Sequence, residues 1–344
     1  MNKKVKKILT ALFIVVSILA LLISMQGPRI FSPQHSQERK DVSTQTKPLS
    51  GKEQDKVVED LKTMVQDGYR PTEVEKKLKQ SIGSLDDKHS TRAVREFMNA
   101  IKNTSEYFGQ LLDTLGGEIQ YSQAVDGVKD PVKDMKKLSN KLAKGYLAEM
   151  NRQHLLVKYV DSSFYIDPDA QYVLDHYGKY VTGDYKDYIN LLAKEQSDPI
   201  FDDKSGIYNI DRLAEDLLYI ENARDRWEKG EFAQDWSDLE RSLYEIFFAS
   251  SHATFFNEKI EHKGTDKETY TYTLKPEIRK KYEEIMLSNK GTDLAKDIEG
   301  LLNILDKTHN VVNDKVDKYI SDLIKKRFDN TSGDETTGKA ENGK

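Results

Sequence analysis

Cysteine is absent from this chain. That removes disulfides, thiolate metal sites and thiol nucleophiles. It also removes a lipid-modified mature N-terminus, which needs a cysteine. If exported, the protein is held by its hydrophobic core alone, and 344 residues are enough to build one.

Catalytic signatures are missing too. There is no G-x-S-x-G, no H-E-x-x-H, no P-loop and no G-x-G-x-x-G. A basic excess is also lacking. Net charge is −5, and setting aside the +4 of Lys3, Lys4, Lys6 and Lys7 leaves −9. Such an exterior is a poor match for nucleic acid, for polyanionic wall polymers or for anionic lipid heads. Lysine and glutamate are interleaved, as on solvated helix faces.

What is present begins with Ile8–Met25, a run of 18 residues without a charge, directly behind those four lysines. At 1.5 Å per residue it reaches about 27 Å, close to a hydrocarbon core of about 30 Å. The lysines assign residues 1–7 to the cytoplasm, residues 8–25 to a transmembrane signal-anchor, and the bulk of the chain to the outside. Cleavage as a signal peptide is the alternative. The run is long for that, and Met25-Gln26-Gly27-Pro28 is a poor cleavage site. If the segment is cut, the protein is secreted. The style of the chain suits a bacterium with a wall and no outer membrane.

Residues 26–50 read as a flexible linker with an r.m.s. span of about 25–30 Å. An N-terminal helical region, 51–160, follows. It has a first helix ended by Gly68, a second opened by Pro71, and a long third expected to stop at Gly116-Gly117. Asp130-Pro131 should then open a fourth. The C-terminal helical bundle, 161–328, is expected to include a helix capped by Asp167-Pro168. Its final helix is expected to be unbroken over 292–328, about 55 Å long and suited to pairing as a coiled coil. Glu268–Leu274 alternates Tyr and Thr and is the best strand candidate, without an evident partner. Leu155–Val157 and Phe164–Ile166 could be strands or helix ends. Residues 329–344 read as a disordered tail. The fold class is therefore mainly α: extracytoplasmic helical bundles behind one N-terminal transmembrane helix, with at most a minor β element.

Metal chemistry is weighed and set aside. His252 and His262 bracket Glu258 and Glu261, but the spacing does not gather them on one helical face. The loop Phe201–Gly206 has the wrong residues at the ends of a calcium frame. No cofactor is expected, and His309 reads as a core or boundary residue within the last helix. Trp227 and Trp236 should staple two helices together.

The suggestive feature is tyrosine. Seven lie between Tyr159 and Tyr188. Tyr165, Tyr172, Tyr177, Tyr180 and Tyr185 are the candidate ligand- or partner-binding residues, since a flat apolar ring with a polar tip suits both interfaces and sugars. A helical core filled by the same rings is the competing explanation. The functional expectation is a non-catalytic membrane-anchored accessory protein that engages another surface or membrane protein. A cell-wall glycan binder using the Tyr-rich middle is the alternative. A wall or peptide hydrolase without a recognisable motif is the third reading.

Overall fold

A computed structural model describes residues 48–160, 163–202, 207–248, 256–262 and 269–329. The lysine flank, the apolar run, most of the linker, the tail from 330, His252 and residues 203–206 lie outside them. All the described residues belong to one unit, Thr46–Lys344. Their core runs from Val58 to Ile324. The protein is mainly α-helical, with seven short strands in three small sheets among the described residues. None of the described helices is long and apolar enough to cross a membrane.

The first layer is built on α3 (Asp87–Asp126), with α1 (Gly51–Gln66) and α2 (Pro71–Ser81) packed along it. Gly68 adopts φ +75° after α1, and Pro71 occupies the first turn of α2, where its missing N–H goes unmissed. Ala93, Val94, Phe97, Met98 and Ile101 of α3 are buried. The helix does not stop at Gly116-Gly117. Each glycine costs about 1 kcal/mol relative to alanine, which forty residues of packed helix absorb. It stops at Gly127, whose φ of +65° turns the chain so that the Val128 N–H also reaches the Gln123 carbonyl, at 3.1 Å.

Asp130 does cap a turn, accepting from Val132 and Lys133 N–H at 3.0 Å. That turn decays into a 3₁₀ segment, and α4 (Lys141–Arg152) starts only where Asn140 caps it. Strands β1 (Leu155–Val160) and β2 (Ser163–Pro168) then form an antiparallel hairpin on α3. The Ser105 hydroxyl donates to the Ile166 carbonyl across that contact, at 2.8 Å. The cap of α5 (Ala170–Tyr177) is Asp169, not Asp167, because Asp167-Pro168 completes β2.

Beyond α6 (Gly183–Ser197), the short pair β3 (Phe201–Asp202) and β4 (Ile207–Tyr208) leads to α7 (Ile210–Trp227), capped by Asn209. Helix α8 (Ala233–Phe247) folds back on α7. Trp227 and Trp236 stack across that turn, centroids 6.1 Å apart, both buried. Such a pair adds about 1 kcal/mol beyond its buried area.

The Tyr-Thr strand exists as β6 (Thr269–Leu274), and its partner is β5 (Asn257–His262). The charged sequence of β5 reads as a helix end, which is why the pairing was not legible. Helices α9 (Pro276–Ser288) and α10 (Asp293–Lys307) follow. The long last helix is broken. His309 and Asn310 sit at φ +53° and +65°, and His309 is exposed rather than in a helical stripe. The Asn310 N–H closes the last turn of α10 on the Leu305 carbonyl, and its amide donates to the Leu274 carbonyl. Those bonds seat β7 (Val311–Val312) beside β6, and Asn313 caps α11 (Asp314–Ile324). Backbone pairing with the sheet outweighs the apolar period that runs through the break.

Candidate functional site

The tyrosine-rich middle divides into three settings. In the first, the buried Glu75 of α2 gathers the tyrosines of α5. Tyr172 and Tyr177 hydroxyls donate to Glu75 Oε1 at 2.5 and 2.8 Å, and Lys79 Nζ lies 2.6 Å away. His154 Nε2 stands 3.5 Å from Oε2, too far for a strong hydrogen bond. His154 has φ +59°, and its ring stacks on Tyr172 at 3.9 Å, while His176 covers the other face of Tyr172 at 4.0 Å. Burial pushes the Glu75 carboxyl up. The bonds and contacts from His154, Lys79, Tyr172 and Tyr177 outweigh it and hold the carboxyl well below the usual range.

In the second setting Tyr185 and Tyr188 are core residues of α6. Tyr185 is fully buried, against Phe232, and Tyr188 lies edge-on to Trp236. Beside them the buried Asp235 of α8 accepts from Arg95 Nε at 2.8 Å and faces Lys102 Nζ at 3.3 Å. Tyr180 is half-buried, with Lys179 over its ring at 4.9 Å, and its carbonyl accepts from Ser90 at 2.7 Å. Tyr177 and Tyr185 thus build the interior.

The third setting is open. The β1–β2 register places Leu156, Lys158, Tyr165 and Asp167 on the hairpin's outer face, while Leu155, Val157, Phe164 and Ile166 turn towards α3. Tyr165 is 55% exposed. Lys158 Nζ is 3.8 Å from Asp167. Burial raises the Asp167 carboxyl against the pull of Lys158, though half of its side chain still meets water. Glu195, in the last turn of α6, joins this face through the fields of Lys158 and Tyr208. Both of its oxygens lie 3.0 Å from the Ile200 N–H. Burial still dominates and pushes its carboxyl up to about 7, against Ile200, Lys158 and Arg212 and with Asp216. Near neutral pH this group can both donate and accept hydrogen bonds.

A testable sign follows. A carboxyl raised on folding favours the folded state at low pH, and loses that contribution as pH rises from about 4.5 through 7. Glu195→Gln should therefore stabilise the protein by about 1 kcal/mol at pH 8, after discounting for solvent, and change little at pH 5. Urea melts at the two pH values check this. Equal effects at both would mean that the charge of Glu195 carries no penalty.

An open depression of about 410 Å³ lies at the end of α3, lined by Gln120, Gln123, Ala124, Gly127, Val128 and Tyr159. Its lining carries no carboxylate, and Tyr159 belongs to the inner hairpin face. The raised acids and the depression are therefore in different places. Among the described residues no group of His and carboxylates is arranged to hold a metal ion.

Of the candidate tyrosines, Glu75 brings Tyr172 and Tyr177 together, and Tyr165 alone stands well out. Sequence reasoning missed Glu75, His154, Lys158, Glu195 and Asp235. Glu75 had a signal: it lies on the Leu78 side of the α2 apolar stripe. Compared with models of protein families, with curated proteins and with solved structures, the chain matches none.

Proposed function

We propose that this is a membrane-anchored extracytoplasmic binding protein that engages another membrane or surface protein through the outer face of the β1–β2 hairpin. The apolar run behind four lysines supports the anchor. The observation that carries the binding face is Tyr165, a ring 55% exposed on a hairpin pinned to α3 by the Ser105–Ile166 bond. An exposed aromatic on a fixed hairpin, with Lys158 and Asp167 on the same face, has the make-up of an interface anchor within a polar rim. A glycan is the second reading. It is favoured by the pairing of a flat ring with carboxyls able to bond sugar hydroxyls.

The test uses the full-length chain in cells, with a photo-crosslinking residue at position 165. One dominant protein adduct in an alkali-resistant membrane fraction is the expected result. Tyr165→Ala should weaken capture of that partner about tenfold and leave the melting temperature unchanged, since the ring is mostly in water. Wall glycan as the sole adduct would replace the first reading with the second. No adduct at all would dispose of this face.

A further inference from the structure

The overall acidity hides a locally basic segment. Between Asp126 and Tyr146 the chain carries Lys129, Lys133, Lys136, Lys137, Lys141 and Lys144 against three aspartates. Two of the six pair locally, Lys133 with Asp130 at 3.2 Å and Lys137 with Asp134 at 2.8 Å. Both of these lysines are highly exposed, so water or another anion competes easily for them. Lys129, Lys136 and Lys141 are exposed too.

The segment folds back on the end of α3. Gln123 donates to the Lys129 carbonyl at 2.8 Å, and Ser139 N–H donates to Asp126 at 2.6 Å. This brings the lysine-bearing segment against the end of α3, a helix that itself carries unusually exposed apolar side chains. Tyr121 is 70% exposed, Tyr107 54% and Leu142 45%. Tyr107 and Tyr121 are fourteen residues apart on α3, within about 40° of one face and about 21 Å along it. Tyr146 of α4 borders Tyr107, whose hydroxyl it feels.

We infer that this face docks on an anionic phospholipid surface. The lysines supply charge complementarity over an area rather than at one point. The exposed rings and Leu142 need something apolar between those charges. A bilayer interface offers acidic headgroups and shallow apolar depth together, and tyrosine with lysine suits that boundary. A hydrophilic polyanion offers only the charge. The inference rests in part on the proposed anchor, whose linker would hold the body within reach of the bilayer.

The experiment uses the unit Thr46–Lys344, whose core is drawn from its own residues. It is floated with vesicles of phosphatidylcholine alone or mixed with phosphatidylglycerol. Binding to the mixed vesicles only, lost at high salt, is expected. K136Q with K141Q should lower the partition coefficient roughly twenty-five-fold, at about five-fold per lysine. Tyr121→Ser should lower it further without altering the salt dependence. All three side chains are exposed, so folding is not at risk. Equal binding to both vesicles, unchanged binding by the lysine variant, or sedimentation with wall polymer but no flotation would each overturn the inference. The anchor is judged separately: full-length chain that washes off membranes at alkaline pH removes the anchor and leaves the vesicle result standing.

Discussion

Replacing Asp235 by alanine is expected to cost about 3 kcal/mol and lower the melting temperature by roughly 6–10 °C. The carboxylate is almost fully buried and takes Arg95 Nε at 2.8 Å and Lys102 Nζ at 3.3 Å. Both cations belong to α3, seven residues apart and therefore on one face. Asp235 lies in the first turn of α8, where a negative charge also meets the positive end of the helix. Alanine leaves two cations against an apolar wall that includes Tyr185, Tyr188 and Trp236. Arg95 and Lys102 keep partial access to water, which holds the loss near the lower end for a broken buried pair. Asp235→Asn retains an acceptor and should lose about half as much. Removing charge on both sides, with Asp235→Leu and Arg95→Met, should recover part of the loss. Thermal and urea melts of the three variants decide it. A loss below about 1 kcal/mol for the alanine variant would mean that α3 and α8 are joined by apolar packing alone.

The elements legible beforehand were those whose local chemistry agreed with their place in the fold. Gly68 and Pro71 punctuate helices for reasons of backbone geometry that hold in any surroundings. The Trp227–Trp236 staple was legible because two large rings flanking a short turn have few other places to go. What failed did so where long-range pairing overrode a local pattern. Residues 292–328 keep an apolar period through Leu305, Val312 and Val316. The chain nevertheless breaks at His309 and Asn310, because Asn310 bonds Leu274, which belongs to a strand some 36 residues earlier. Likewise Asn257–His262 looks like solvated polar sequence until Thr269–Leu274 pairs with it.

The site was legible in kind but not in arrangement. The tyrosines were visible. Their sorting into an interior carboxylate pocket, a core and one open face depends on Glu75, Asp235 and the hairpin register. Charged residues inside a lysine- and glutamate-rich helix do not announce that they are buried. The lysine-rich segment was hidden by the opposite error, since a net charge averages over surfaces that a partner meets one at a time.

Glu75→Ala is the second large effect, expected to cost about 3 kcal/mol at neutral pH. The residue joins α2 to α5 by accepting the Tyr172 and Tyr177 hydroxyls and pairing with Lys79, beside the His154–Tyr172–His176 stack. Glu75→Gln separates charge from shape, because its amide oxygen can still accept from the tyrosines. It should cost less, about 2 kcal/mol, and the cost should depend on pH. Unfolded, the Glu75 carboxyl titrates near 4.5, and folded it is held far below that. A depressed carboxyl contributes its full stabilisation above the unfolded value and loses it as pH falls towards the folded one. The gap between wild type and Glu75→Gln should therefore be widest at pH 7 and narrow steadily below about 4.5. Urea melts at pH 7 and pH 3 measure it. A gap of the same size at both would show that the tyrosine bonds hold α2 to α5 whether or not Glu75 is charged. The sign is opposite to that of Glu195, whose contribution is lost as pH rises. Acid therefore loosens the α2–α5 junction while relieving Glu195, whose carboxyl fixes the Ile200 N–H beside the open face. The double variant Glu75→Gln, Glu195→Gln should accordingly show a flatter stability profile than wild type from pH 3 to pH 8, with its largest net loss near pH 5, where the Glu75 contribution is full and the Glu195 substitution gains little.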